Sequence, residues 1–357
     1  MGLKFEMQQK NTHSRYKLSM SRLLTNVIMK KTVIILLCYF SVHTVAFAAQ
    51  EIGRVIENDT ARNYYIGHSE LLSIKAYLLL KINSIDIFHE NERIRLVPNS
   101  PVAIGLGFNF KGLSLALGIG LPQSSKNKDK YGSTNRFDIQ MSIYSRRVGG
   151  DAYFQLYKGY YNANPEDFIQ WEKDYFPKIP AMQTISVGAN VYYIFNHNKY
   201  SNKAAYARTQ LQLKSAGSFT LGYFVNFDEV DSPEGFIPQE YPDSVANDFD
   251  IKSFRYFATG ITIGYMYTWV ISKRFFVSGS FIPGFGYKDI KLTDGAGESG
   301  IERHPHAQLL LRVAVGYEYK RFYAGLTGLS LIRNIKYKDY NIDLATEQLR
   351  FTIGLRF

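Results

Sequence analysis

The sequence predicts an all-β fold: an antiparallel transmembrane β-barrel of about 12 strands, with about 14 as the alternative, behind a cleavable leader. Three observations predict it. The last ten residues alternate strictly between apolar and polar, the N-terminus carries an export-type segment, and alternating segments recur in between, joined by short turns and long polar loops.

Leu349, Phe351, Ile353, Leu355 and Phe357 alternate with Gln348, Arg350, Thr352, Gly354 and Arg356. A period of two puts the first set on one face of a strand and the second on the other. In a transmembrane barrel the apolar set faces lipid and the polar set an interior. A strand closing on an aromatic residue resembles the C-terminal signal read by the outer-membrane barrel assembly machinery. Phe351, Ile353, Leu355 and Phe357 are therefore the candidate assembly signal, with that machinery and periplasmic chaperones as partners in biogenesis. The alternative is an ordinary amphipathic edge strand.

Met29-Lys30-Lys31 leads into the apolar run Val33–Phe40, and Ala46-Phe47-Ala48 supplies a small-x-small cleavage site before Ala49. That is the pattern of a secretory signal peptide. Residues 1–28 carry no pattern and are read as an over-extended start, with Met29 as initiator. Residues 29–48 form the signal peptide, 49–70 a short periplasmic lead-in and 71–357 the barrel. A lipoprotein reading of Cys38 fails, because Leu37 stands where a small residue is needed.

The leader takes seven of the 42 basic residues and one of the 31 acids, which lowers the net charge from +11 to +5. The basic pI is thus no argument for nucleic-acid binding. Cys38, the only cysteine, leaves with the leader, and with it any disulfide framework, thiolate metal site or cysteine nucleophile.

Mean hydropathy is −0.18, and no run of about 18 apolar residues follows the leader, so helices do not span a membrane here. The 27 Tyr, 25 Phe and 28 Gly suit strands, membrane interfaces and crowded barrel interiors. Leu72, Ile74, Ala76, Leu78, Leu80 and Ile82 form the first strand face. Val102–Phe110 and Leu113–Ile119 form a hairpin over Lys111-Gly112, and Phe137–Ile143 follows. Phe219–Phe227, Ile261–Trp269 and Leu309–Tyr319 repeat the pattern. Short turns at Lys111-Gly112, Asn196–Lys199, Ser272–Arg274 and Lys320-Arg321 are interspersed with polar loops at 121–135, 161–181, 228–252, 289–303 and 333–346. Short turns on one side and long loops on the other favour the barrel over a periplasmic β-sandwich. About thirteen runs are visible, and a bacterial barrel needs an even number. The ambiguity lies in 200–227, where Tyr200–Leu213 and Ser218–Phe227 form two strands or one with an irregular start.

Several segments resemble a Bacteroidetes family of secreted proteins known as domain of unknown function 4421. They are Val97-Pro98-Asn99-Ser100-Pro101, Phe110-Lys111-Gly112, Tyr157–Tyr161, Tyr193–Lys199 and Lys214–Phe219, in order over roughly residues 70–357. Val97 departs from the family's usual tyrosine or arginine before the proline. The resemblance implies an outer-membrane location in a Gram-negative bacterium and supplies no biochemical activity, so no functional residue is carried over.

The chain shows no phosphate loop or dinucleotide fingerprint; Gly105-Leu106-Gly107 lacks the further glycine and the helix. No cofactor is expected. His304-Pro305-His306 reads as an exposed loop-to-strand junction rather than a metal site. The stretch 228–250 holds eight acids (Asp228, Glu229, Asp231, Glu234, Glu240, Asp243, Asp248, Asp250) and no Lys or Arg. It reads as a solvated extracellular loop, since the EF-hand spacing is absent. The inward polar set is Arg136, Asp138, Gln140, Arg312, Glu318, Arg350 and Arg356. It lines a selective, porin-like pore or forms a salt-bridge network that closes the lumen, and the presence of both signs favours closure. The function expected is non-enzymatic: small-solute passage or envelope structure, with outer-membrane lipid as the surrounding partner. The alternatives are a barrel enzyme acting on lipid A or phospholipid, which needs an activated serine, and a surface-binding protein using the long loops.

Overall fold

A computed structural model describes residues 63–67, 71–90, 92–99, 102–110, 113–242, 245, 249–295, 297–337 and 339–357. The expected signal peptide with Ala46, Ala48 and Ala49, the over-extended start and most of the lead-in lie outside the described residues.

In chain order the strands are β1 (Tyr65–Gly67), β2 (Ser73–His89), β3 (Glu92–Val97), β4 (Val102–Phe110), β5 (Leu113–Gly120) and β6 (Asn135–Tyr144). There follow β7 (Val148–Asn162), β8 (Lys178–Ile194), β9 (Gln210–Gln212), β10 (Ala216–Asp231) and β11 (Ile251–Ser272). The last are β12 (Phe275–Asp294), β13 (Gly297–Glu298), β14 (Glu302–Tyr319), β15 (Phe322–Tyr337) and β16 (Tyr340–Arg356). Helix α1 spans Ser125–Tyr131, capped by the Ser124 hydroxyl, which accepts from the Asn127 N–H.

Twelve strands close a ring in the order β2-β4-β5-β6-β7-β8-β10-β11-β12-β14-β15-β16, and every neighbouring pair is antiparallel. The ring closes where β16 pairs with β2 from Tyr340↔His89 to Arg356↔Ser73. Closure removes the free edges of an open sheet, which is what lets a sheet satisfy its backbone in hydrocarbon, and only the β5–β6 pairing is short, from Leu113↔Ile143 to Ala116↔Gln140. Among the described residues no helix is long and apolar enough to cross a membrane.

The outward face is an apolar belt. Ile74, Leu78, Ile104, Leu106, Leu221, Ile261, Ile263, Phe281 and Val313 are exposed on it. Trp269, Phe275, Tyr317, Tyr319 and Phe322 lie at its periplasmic rim, and Phe257, Phe285 and Tyr287 at its outer rim, as the aromatic girdles of an outer-membrane barrel do. Phe351, Ile353, Leu355 and Phe357 are exposed on this belt, and Thr352, Gly354 and Arg356 face inward.

Tyrosine and glycine are abundant because they pair across the ladder. Tyr77 lies opposite Gly105, Tyr153 opposite Gly188, Tyr192 opposite Gly149 and Tyr323 opposite Gly354. At each of these glycines a Cβ would meet the tyrosine ring at 2.3–2.5 Å. The ring lies flat over bare backbone, and any larger residue would push it into the lumen.

The ambiguity over 200–227 resolves in favour of the twelve-strand expectation: Tyr200–Leu213 adds no barrel strand, Lys203–Ala207 forms a single π-helical turn and, among the described residues, β9 pairs only with β1. Lys203-Ala204-Ala205-Tyr206-Ala207 has no apolar alternation, and its three alanines favour a helical turn. Three expectations are corrected. The stretch 333–346 is no long loop, because β15 and β16 meet at Tyr337↔Tyr340. The acidic loop begins only after Asp231; Asp228, Glu229 and Asp231 belong to β10, and Asp228 is buried. Finally, His306 is not at an exposed junction. It is buried on the lumen side of β14, with ring centroids 5.7 Å from Phe224 and 6.0 Å from Tyr256.

Candidate functional site: the filled lumen

Three layers fill the barrel interior. The periplasmic layer is the segment between β8 and β10, folded back into the mouth. Tyr200, Asn202, Ala204, Ala205, Ala207 and Arg208 in it are buried. Its backbone is gripped from the wall: Asn109 Nδ2 donates to the Ala207 carbonyl at 2.7 Å, and Arg356 donates through Nε and Nη2 to the Arg208 carbonyl at 2.9 and 2.6 Å. Arg356 also pairs with Glu318 at 2.6 Å, and Arg208 approaches Glu318 at 3.8 Å. Arg208 adopts a left-handed backbone (φ 61°), which turns the segment back toward β9. One carboxylate thus faces two buried guanidiniums; Arg208 Nη2 donates to the Val315 carbonyl at 3.2 Å, while its Nη1 has no hydrogen-bond partner.

The middle layer is polar. Arg312 on β14 pairs with Asp151 on β7 at 2.5 Å, and Asp151 also accepts from Ser142 at 2.8 Å and Tyr144 at 2.9 Å. Arg350 donates to Gln140 at 2.9 Å, while Lys81 is ion-paired with Asp138, which accepts from Tyr157 at 3.0 Å. Higher up, Arg333 on β15 holds Asp228 on β10 at 2.8 Å and donates to the Tyr153 hydroxyl at 2.9 Å. Tyr153 passes the chain to Asn226 at 3.1 Å, and Asn226 to Gln308 at 2.6 Å. Between these groups lies a chamber of about 90 Å³, lined by Asn190, Asn226, Gln308, Gln348, Asp151 and Arg312 among others. Both amide atoms of Asn190 are buried there without a hydrogen-bond partner. The chamber is roomy enough for ordered water, with the Asn190 amide as a polar partner, although Phe224, Leu310, Leu329 and Leu331 also line it.

The outer layer is apolar. Above the belt the strands continue, and Ile85, Ile87, Ile94, Leu96, Phe254, Tyr256, Ile290, Leu292, Ile335 and Ile342 point inward. Phe236, Ile237, Tyr241 and Phe249, from the segment between β10 and β11, pack onto them, with Phe168 at 6.0 Å from Tyr241 and 5.9 Å from Phe249. Burial pushes the Tyr241 hydroxyl well up from its ordinary range.

All seven residues of the expected lumen set face inward, but in separate groups. Glu318 and Arg356 belong to the periplasmic layer. Asp138, Gln140, Arg312 and Arg350 belong to the middle one, and Arg136 on β6 donates to the Val102 carbonyl on β4. Lys81, Asp151, Arg208, Asp228 and Arg333 are the partners that sequence reasoning missed. Asp228 and Arg333 keep the inward parity of Phe224, Asn226 and Ile335, and extending those strands by one turn of alternation would have found them. Arg208 had no such signal, because it lies outside any strand of the ring.

Among the described residues no group of three His, Cys, Asp or Glu is placed to hold a metal ion. A model of domain of unknown function 4421 matches residues 57–357. No curated protein matches the chain in sequence. Solved structures similar to it include the outer membrane protease OmpT from Escherichia coli, at 9% identity over 82% of this chain and 98% of that one, with a TM-score of 0.37. The toluene transporter TodX of Pseudomonas putida matches at 6% identity over 81% and 90% of the two chains, TM-score 0.27. The outer membrane protein OprG from Pseudomonas aeruginosa matches at 8% identity over 82% and 98%, TM-score 0.26.

Proposed function

The chain belongs to the family defined by domain of unknown function 4421, and on that premise we propose that it is a closed, non-enzymatic outer-membrane barrel serving envelope structure rather than open solute passage. The observation that carries this reading is the periplasmic insert locked by Arg356, Glu318 and Arg208 beneath an equally filled outer layer. A solute crossing the lumen would have to break buried charge pairs at one end and strip an aromatic core at the other, each costing several kcal/mol.

The rival reading is a barrel enzyme acting on lipid A or phospholipid. It would need a poised nucleophile and base. Asp151, the most connected lumen carboxylate, is held by Arg312, Ser142 and Tyr144, and His306 is packed between two tilted aromatic rings, which suits charge balance and packing better than proton transfer. The test is reconstitution of the full chain in phospholipid vesicles. Neither swelling with small sugars nor release of fatty acid is expected. Swelling would restore solute passage, and fatty-acid release would restore the enzyme.

A further inference from the structure

Two neighbouring turns on the periplasmic side consist of cations. Lys273 and Arg274 join β11 to β12, and Lys320 and Arg321 join β14 to β15. Because β12 pairs with β14 from Phe275↔Tyr317 upward, the two turns lie side by side, and the Arg274 carbonyl accepts from the Glu318 N–H at 2.8 Å. All four cations are exposed. No acid stands between Gly260 and Tyr287 in sequence. Between Arg312 and Thr327 stands Glu318 alone, buried and already facing Arg356 and Arg208. Among the described residues, none of the four cations forms an ion pair.

Two of them converge on one ring. Arg274 lies 4.5 Å and Lys320 5.5 Å from the centre of the Tyr319 ring. Each gains from the electron-rich face of the ring. Two like charges gathered at one ring also repel, and an anion between them turns that repulsion into two attractions. Tyr319 belongs to the outward series of β14, so the pair sits on the lipid side of the wall and not in the lumen. Next to it the wall is apolar, with Trp269, Ile271, Phe275, Tyr317 and Phe322 exposed. From the rim toward the middle of the belt the order is cations, aromatic rings, aliphatic side chains. That is the order of headgroup, interface and acyl chain in the leaflet beside it. A soluble polyanion would match the charge alone. The strip beside the charge matches a molecule that is anionic at one end and hydrocarbon at the other.

We propose that this patch binds an anionic phospholipid of the inner leaflet, its phosphate between Arg274 and Lys320 and its acyl chains along the strip from Phe275 to Trp269. The inference stands on the outward wall and not on the lumen, so it holds whether or not the barrel conducts.

The test is native mass spectrometry of the full chain in non-ionic detergent, titrated with phosphatidylglycerol and, separately, phosphatidylethanolamine. Wild type is expected to take up its first phosphatidylglycerol at least about tenfold more tightly than the zwitterionic lipid, the factor one charge-assisted contact supplies. Arg274→Gln with Lys320→Gln should remove most of that preference, and Arg274→Lys with Lys320→Arg should retain it. Lys199→Gln with Lys214→Gln takes two cations from a different ring, Tyr64, at 5.6 and 5.5 Å, beside the β1–β9 pair and not on the belt. That variant should keep the preference unchanged. Heat-dependent gel mobility establishes that each variant is folded. Equal affinity for the two lipids in wild type, or an unchanged preference in the folded Arg274→Gln, Lys320→Gln variant, would overturn the proposal. An equal loss in the variant of Lys199 and Lys214 would show that net charge alone is read, and would overturn it too. Competition by inorganic phosphate or polyglutamate as strong as by phosphatidylglycerol would overturn the assignment to a membrane lipid.

Discussion

The two halves of the barrel wall follow one period and opposite phases. In the membrane half, Ile74, Leu78, Leu80 and Ile82 of β2 point out and Lys75, Tyr77 and Lys81 point in. A few residues higher on the same strand, Ile85 and Ile87 point in. The inversion recurs on β12, where Phe281, Phe285 and Tyr287 face out and Ile290 and Leu292 face in, and on β16, where Ile342 and Leu344 face in and Leu349, Phe351 and Ile353 face out. On β11 Phe254 and Tyr256 are inward and Ile261 and Ile263 outward. The wall is one continuous set of ladders, and what changes along it is the surroundings. Where lipid is outside, the apolar set faces out and the lumen is polar; where water is outside, the apolar set turns in and builds a core of the soluble kind.

The comparison breaks most readily where the phases meet. Arg333 and Asp228 sit at that boundary, both almost fully buried. Asp228→Asn leaves a buried guanidinium uncompensated and should cost about 3–5 kcal/mol, read as a lower unfolding midpoint in detergent. The double variant Asp228→Asn with Arg333→Met should recover most of that loss. In the water-facing half, Phe254→Ala removes a ring that is 1% exposed. It should cost about 3–5 kcal/mol and open the 232–250 segment to protease added outside the cell, with little effect on membrane insertion. In the lipid-facing half, Phe351→Arg places a charge on the belt at a cost of about 2–4 kcal/mol. It should act instead on insertion, lowering outer-membrane yield on fractionation. If Phe351→Arg and Phe254→Ala gave the same phenotype, the two halves would not be distinct. The smallest effect is expected for Arg255→Gln, which breaks an outward pair with Glu229 at 2.7 Å in the upper half. Such half-exposed pairs at the wall's surface contribute about 0–1 kcal/mol, so the midpoint should move little.

The phase inversion also explains what the sequence disclosed. The membrane belt was legible because lipid on one face and a polar lumen on the other give clean alternation, as in Leu349–Phe357 and Ile261–Trp269. The upper strands were less legible. Crossing the inversion at Ile82–Ile85 or Tyr287–Ile290 interrupts the alternation, so 228–231, 289–294 and 333–346 read as loops. Asp228 looked like one acid among eight because the segment after it is acidic; its parity with Asn226, which marks it as inward, was the better signal. The insert holding Arg208 was illegible for another reason. Its fold depends on Asn109, Arg356 and Glu318, each about a hundred residues or more away in sequence, and no local pattern encodes those partners. The short pairing of β5 with β6, which stops at Ala116↔Gln140, was equally hidden, since Leu117 and Ile119 alternate as regularly as any paired strand.

Both halves, opposite in phase, end in the same result: a lumen blocked at each end by the chain's own side chains, with the chamber at Asn190 enclosed between them. Single-channel recording of the full-length protein in planar bilayers tests that most directly. The filled lumen predicts insertion without resolved conductance steps at moderate voltage, from protein whose heat-dependent gel mobility establishes a folded barrel. Stable, reproducible conductance steps from the same preparation would contradict it and return the protein to the open pores.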